Sequence, residues 1–367
     1  MPIVLPRNFR FSHQFCFDLH DILAQIVVDF EEHQLTNVAF ALKNKEDAAE
    51  FATIEAGAVW TWLESHGYDE ELDDLTCRQV FVALLSDLCH FLYEALSASI
   101  KGKLAVAYSL LRKPLKDNLF YLEWLLADRK HFLKTFRTGK IANVEYTTAF
   151  QTEAAKRTII RGAMRCTRNV ESICDEWLYQ VRYDKAAAYG FEGHWNQAVH
   201  LITTAHHYRT DDCNFNFVFS DVNDHVAQWE HIYSQLPFVL MHVVGVAESL
   251  LGTFTSIEEN AAEWRWFRRS VGLLIWSTIA HQPFGAGSPL DAFRQHLESY
   301  GDLCCGECHQ TIKFTLRRAI RFYRQGIVNC HSCGAITDVE EPATVSVEAD
   351  AEADLRTSFQ VEQTGPP

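Results

Sequence analysis

Two short cysteine pairs carry the clearest chemistry in the chain. Cys305-Gly-Glu-Cys308 and Cys330-His-Ser-Cys333 are both C-x2-C knuckles, and 21 residues separate them. A two-residue spacer sets two thiols on one side of a tight turn, about as far apart as two corners of a tetrahedron. Two such turns facing each other complete a shell of four sulfurs. That shell suits Zn2+ and leaves no open coordination position for a substrate. Cys305, Cys308, Cys330 and Cys333 are therefore predicted to bind a structural zinc ion. Gly334 follows the second knuckle, where the turn favours a residue that tolerates positive φ. Cys304, His309 and His331 flank the knuckles, and any of them could replace a thiolate.

Residues 301–337 resemble a zinc ribbon. The resemblance implies the same four cysteines as ligands and a small β module. A hairpin of Ile312–Leu316 and Ile320–Val328 would fill the interval between the knuckles. A redox dithiol would need a βαβ setting, which the pattern around neither pair provides. The interval alternates bases with aromatics: Lys313, Phe314, Arg317, Arg318, Arg321, Phe322, Tyr323 and Arg324. Bases neutralise phosphates and aromatics stack on unpaired bases, so Arg317, Arg318, Arg321 and Arg324 are candidate nucleic-acid contacts. In the competing reading the aromatics cover the metal and the arginines dock on an acidic body. Charge favours docking. Of the formal −15, residues 1–300 carry −11 and residues 338–367 carry −7, while residues 301–337 carry +3. The overall balance also excludes a protein that coats nucleic acid with its whole surface.

Three further groups could do chemistry. Asp87, His90 and Glu94 fall on one helical face, but a single helix leaves a metal shell incomplete and no H-E-x-x-H motif completes it. His200, His206 and His207 run into Asp211 and Asp212, with His225 and His231 shortly after. From that region His207, Asp211 and His225 are the candidate bases or ligands. Trp264, Arg265, Trp266, Arg268 and Arg269 form a basic-aromatic face. It could bind an anion or nucleotide, or pack against a helix with the arginines lying along the Trp rings. The chain contains no P-loop, dinucleotide-binding glycine fingerprint or G-x-S-x-G elbow.

Residues 1–300 must position these groups, and they read as almost wholly helical. Phe81, Leu84, Leu85, Leu88, Phe91, Leu92 and Leu96 form one apolar stripe, and Tyr108 through Leu126 form another. Gly102 should terminate or bend the first helix, and Pro114 should kink or break the second near Arg112. Further helices are expected near 15–34, 45–65, 144–166, 170–182, 195–208, 222–234, 237–252 and 258–281. Asn214 to Phe219 alternates like a short strand or extended loop. With 25 Phe, 12 Tyr and 9 Trp the core can be large. The apolar run Leu236–Phe254 contains His242 and Glu248, which points to a buried helix and away from a membrane span. No secretory h-region opens the chain, and five of the 11 cysteines lie within one stretch of about thirty residues, a metal pattern suited to a reducing cytoplasm. The expected fold is mostly α: an antiparallel multi-helix bundle array over 1–300, a β zinc ribbon over 301–337 and a disordered acidic tail over 338–367.

Leu110 to Asp128, with Arg112 and Asn118, resembles the Arg-plus-Asn helix of uncharacterised bacterial helical proteins related to HEPN ribonucleases. That likeness implies a helical nucleic-acid enzyme of a defence or toxin system. The Arg-to-His spacing of those ribonucleases occurs here only between Arg324 and His331, inside the ribbon. A convincing metal shell beside no convincing catalytic set points first to a non-catalytic cytoplasmic zinc protein. It would be an interaction or sensing module with a protein partner, with nucleic acid as the alternative partner through the basic ribbon.

Overall fold

Apolar residues recurring every three to four positions build the body one helix at a time. In this computed structural model residues 4–138, 152–168, 173–256, 259–280, 305–312 and 315–338 are described. Cys304, Lys313, Phe314 and the acidic tail beyond Asp338 lie outside them. Helix α1 (Arg10–Glu32) buries Phe15, Leu19, Leu23, Ile26 and Phe30. α4 (Asp69–Ile100) buries the predicted stripe from Phe81 to Leu96. Gly102, at φ +69, turns the chain directly into α5 (Leu104–Arg112). So short a loop makes the two helices antiparallel neighbours, and they pack along each other.

The expected kink at Pro114 is a π-helical turn over Lys113–Asn118, after which α6 (Leu119–Ala127) and α7 (Arg129–Arg137) continue. Pro114 has no N–H, and the wider turn frees backbone carbonyls that other helices collect. Arg182 Nε donates to the Leu115 carbonyl and Tyr183 Oη to the Lys116 carbonyl, at 2.8 and 2.9 Å. Asn118 Nδ2 reaches back to the Leu84 carbonyl and to Asp87. A potential break is thus a knot of hydrogen bonds.

The remaining body helices are α2 (Lys45–Phe51), α3 (Val59–Ser65), α8 (Glu153–Cys166), α9 (Asp175–Tyr183), α10 (Phe191–Val199), α11 (Val222–Leu251) and α12 (Glu259–Ile279). The helix predicted over 45–65 is split, because β-branched Thr53 and Ile54 followed by Gly57 favour a turn over continued helix. α2 and α3 instead enclose a small separate core of Phe51, Trp62, Leu63 and Tyr68. The two helices predicted over 222–234 and 237–252 are one. A capping box of Asp221 and Asp224 starts it, and it runs through Pro237. Burial of Tyr233, Leu236, Val239 and Leu240 on either side outweighs the roughly 3 kcal/mol that an interior Pro costs. The helix predicted over 195–208 stops at Val199, and Asn214–Phe219 is a series of turns with Cys213 and Phe217 at positive φ, which a strand does not allow.

α4 and α11 are each long and apolar enough to cross a membrane by length and composition. Within the fold, 72% of the apolar window of α11 is buried by its neighbours. α11 lies against α1, α6 and α8 and supplies the centre of the main core.

The interval between the knuckles is not the expected hairpin. It contains helix α13 (Leu316–Gln325), ended by Gly326 at φ 67. After it comes strand β1 (Ile327–Asn329), paired antiparallel with β2 (Ile336–Asp338). The reason lies in the period: Ala319, Phe322 and Tyr323 are buried at i, i+3 and i+4 while arginines fill the other face, a helical pattern. The strand pair instead flanks the second knuckle.

Candidate metal centre

The two knuckles have the same backbone. Cys305 N donates to the Gln310 carbonyl and Cys330 N to the Ala335 carbonyl, at 3.0 and 2.9 Å, in each case five residues on. The fourth residue after the leading cysteine is left-handed in both: His309 at φ 56 and Gly334 at φ 77. His309 is therefore a turn residue in a position that glycine suits better.

The four Sγ atoms of Cys305, Cys308, Cys330 and Cys333 all lie within 4.8 Å of one another. The shortest approaches cross between knuckles, 3.6 Å for Cys305–Cys333 and 3.5 Å for Cys308–Cys330. A tetrahedral centre with metal–sulfur distances of about 2.3 Å has edges of about 3.8 Å, so these sulfurs can hold one metal ion. They are too far apart for disulfides, whose S–S bond is about 2.05 Å. The leading cysteines, Cys305 and Cys330, are buried, while Cys333 is exposed. The backbone N–H groups of Cys333 and Ser332 point at the Cys330 sulfur and bring its pKa down to about 6, the Ser332 N–H at 3.3 Å. Among the described residues this is the one cluster of three or more His, Cys, Asp or Glu side chains with ligand geometry, and neither His309 nor His331 belongs to it.

The module is seated on the body by the inner face of α13. The Phe322 ring packs on Phe267, and Tyr323 stands edge-on to Phe15. Tyr323 Oη donates to Asp18 at 2.7 Å, and Arg268 Nε donates to the Tyr323 carbonyl at 3.2 Å. At Gly272 of α12 a Cβ would lie 2.5 Å from Tyr323 and 2.7 Å from Phe15, so only glycine admits these rings. The two aromatics thus cover the body–module seam. Arg317, Arg321 and Arg324 point to solvent and Arg318 is half-buried.

The other candidates form no such cluster among the described residues. His90 is exposed on α4, in a groove with His20, Tyr93 and Glu94. Asp87 turns away to hold Lys113 and Asn118. Burial alone would raise its carboxyl, but those partners lower it on balance. His207 is exposed on a single turn, Asp211 lines a pocket with Asn214, Phe215 and Gln228, and His225 Nδ1 contacts the Asp221 carbonyl.

Two buried groups were not anticipated. Glu123 Oε1 accepts from Arg182 at 2.7 Å and meets His242 Nε2 at 2.9 Å, with all three side chains inaccessible to solvent. Burial acts to raise the Glu123 carboxyl, but Arg182 and His242 hold it below the ordinary value. Its Oε2 has no hydrogen-bond partner among the described residues. The second group stacks His194 on His231 at 3.8 Å, with Tyr108 Oη 2.8 Å from His231 Nδ1. Burial drives the pKa of His231 down to about 3. A usable signal existed for the first group: Glu123 and His242 are lone polar residues inside apolar runs.

Comparison with protein-family models, curated proteins and solved structures gives no match.

Proposed function

We propose that the four cysteines bind one zinc ion and that its role is structural. The observation that carries this reading is the cross-knuckle sulfur cluster. An all-thiolate tetrahedral shell is the ligand set of structural zinc, and it leaves no site for a reactant. Joining the knuckles closes the loop that contains α13, so the ion fixes α13 and its seam with α1 and α12. The protein is then a non-catalytic helical scaffold, working in a reducing cytoplasm, whose metal module presents one helix face to a partner.

Metal analysis of the full chain tests the reading. One zinc per chain is expected, with the metal lost in Cys305→Ser and Cys330→Ser. After chelation, limited proteolysis should cut between Cys305 and Asp338. Resistance of that segment after complete metal removal overturns the structural role. Iron with visible thiolate absorption overturns the choice of zinc.

A further inference from the structure

The seam that seats the metal module also forms a cleft of about 590 Å3 between α1, α12 and α13. Arg265 and Arg268 line it from α12 and Arg324 from α13; Asp18 and Asp21 face them from α1. Asp18 accepts from Tyr323 and Gln14, and Asp21 lies 3.0 Å from His20 Nδ1. Arg78, Arg137, Arg161 and Arg182 each hold a carboxylate, whereas Arg265, Arg317 and Arg324 hold none among the described residues. Arg265 Nε is buried with no hydrogen-bond partner.

The arginines of this region form a track. Arg317, Arg321 and Arg324 follow one another along the outer face of α13, over about 10 Å of helix axis at 1.5 Å per residue. Arg324 shares the cleft with Arg265. Arg265 in turn lines a second cavity of about 350 Å3, with Arg165 and Arg168 at the end of α8. Within this row Arg168 pairs with Glu263, while Arg265, Arg317 and Arg324 have no carboxylate among the described residues of a chain whose formal charge is −15. A compact anion would need only one of these positions, whereas a row suits a linear polyanion. An acidic polypeptide would also draw on apolar anchors to bind well, and Ile22 and Tyr323 are the apolar side chains that line the cleft. Phosphodiester binding needs charge alone, and the guanidinium fork matches phosphate oxygens two at a time.

We infer that the arginine track from α13 across the cleft to α12 binds the phosphate backbone of a nucleic acid. This rests on the reading of the module as a docked interaction surface and names its partner. It adds Arg265 and Arg268 of the body to the arginines of the module.

Fluorescence anisotropy of the full zinc-loaded chain with labelled single-stranded RNA and DNA, about 20 nucleotides long and so beyond the footprint of common single-strand modules, tests it. Binding should weaken between about 50 and 200 mM salt, with a log–log slope near −0.7 per phosphate contacted. Arg265→Gln with Arg324→Gln should weaken binding about tenfold or more and flatten the slope by about 1 to 1.5, from two lost contacts. Arg209→Gln, outside the track, should leave it unchanged. Absence of binding at the lowest salt, or an unaffected double variant, overturns the inference. Poly-glutamate binding as tightly as the oligonucleotide also overturns it and assigns the track to an acidic polypeptide. Zinc is measured on the same samples, so a chain that retains zinc but fails to bind refutes the track and not the metal site.

Discussion

Gly272→Ala tests whether the metal module is built into the body. The added methyl lands 2.5 Å from Tyr323 Cε2 and 2.7 Å from Phe15 Cε2, where carbon atoms at rest keep about 3.5–4.0 Å. Neither ring can retreat easily. Phe15 is wholly buried in the main core, and Tyr323 is held at both ends, by Asp18 at its hydroxyl and by Arg268 at its carbonyl. Overpacking of this kind costs about 1–3 kcal/mol. If Tyr323 yields, its bond to the Asp18 carboxylate is lost as well, about 1.5–3 kcal/mol for a hydrogen bond to a charged group. The better helix propensity of Ala returns about 1 kcal/mol. The net expectation is a loss of about 2–4 kcal/mol, concentrated at the seam. Urea denaturation measures the total, and hydrogen exchange over Leu316–Gln325 locates it. Gly57→Ala, where a Cβ meets nothing within 4 Å, is the control. A Gly272→Ala protein with wild-type stability and a protected α13 would refute the seam and the rigid placement of α13 drawn from it.

Further outcomes follow from the buried groups and the knuckle. Arg182→Met should cost about 3–5 kcal/mol, because it strands the Glu123 charge in the core. Pairing it with Glu123→Leu and His242→Leu should recover most of the loss in urea denaturation. Burial lowers the pKa of His13 to about 4 and that of His231 to about 3, so the unfolded chain takes up these protons first. Their stabilisation is complete above about pH 6.5 and falls as pH drops toward 4 and then 3, by up to about 1.4 kcal/mol per pH unit for each ring. A denaturation series across that range measures the slope, and His231→Gln should flatten it. His309→Gly should stabilise the metal-loaded chain by about 0.5–1 kcal/mol in thermal melts by relieving a left-handed non-glycine residue. Loss of metal in that variant would instead make His309 a ligand.

The cysteine cluster was legible because its geometry is local: two knuckles each specify their own turn, and only their meeting depends on the fold. The long helices were legible for a similar reason, since the stripe from Phe81 to Leu96 repeats with the helical period. Boundaries failed where tertiary burial overrode local preference, as when Pro237 passed inside α11. The interval between the knuckles departs from the expected hairpin because the helical period of Ala319, Phe322 and Tyr323 prevails there. The buried triad was illegible for a stricter reason. Glu123 lies 59 residues from Arg182 and 119 from His242, on three different helices, and no spacing rule links them. What the sequence does show is the cost: a carboxylate within Leu119–Ala127 and an imidazole within Val239–Val246 cannot be buried alone. Each therefore announces a partner without naming it. The π turn at Pro114 belongs to the same network, because Arg182 spends one end of its guanidinium on Glu123 and the other on the Leu115 carbonyl that the turn releases. A helix defect and a buried charge, each unfavourable by itself, satisfy one arginine together, so neither can be understood from its own segment of chain.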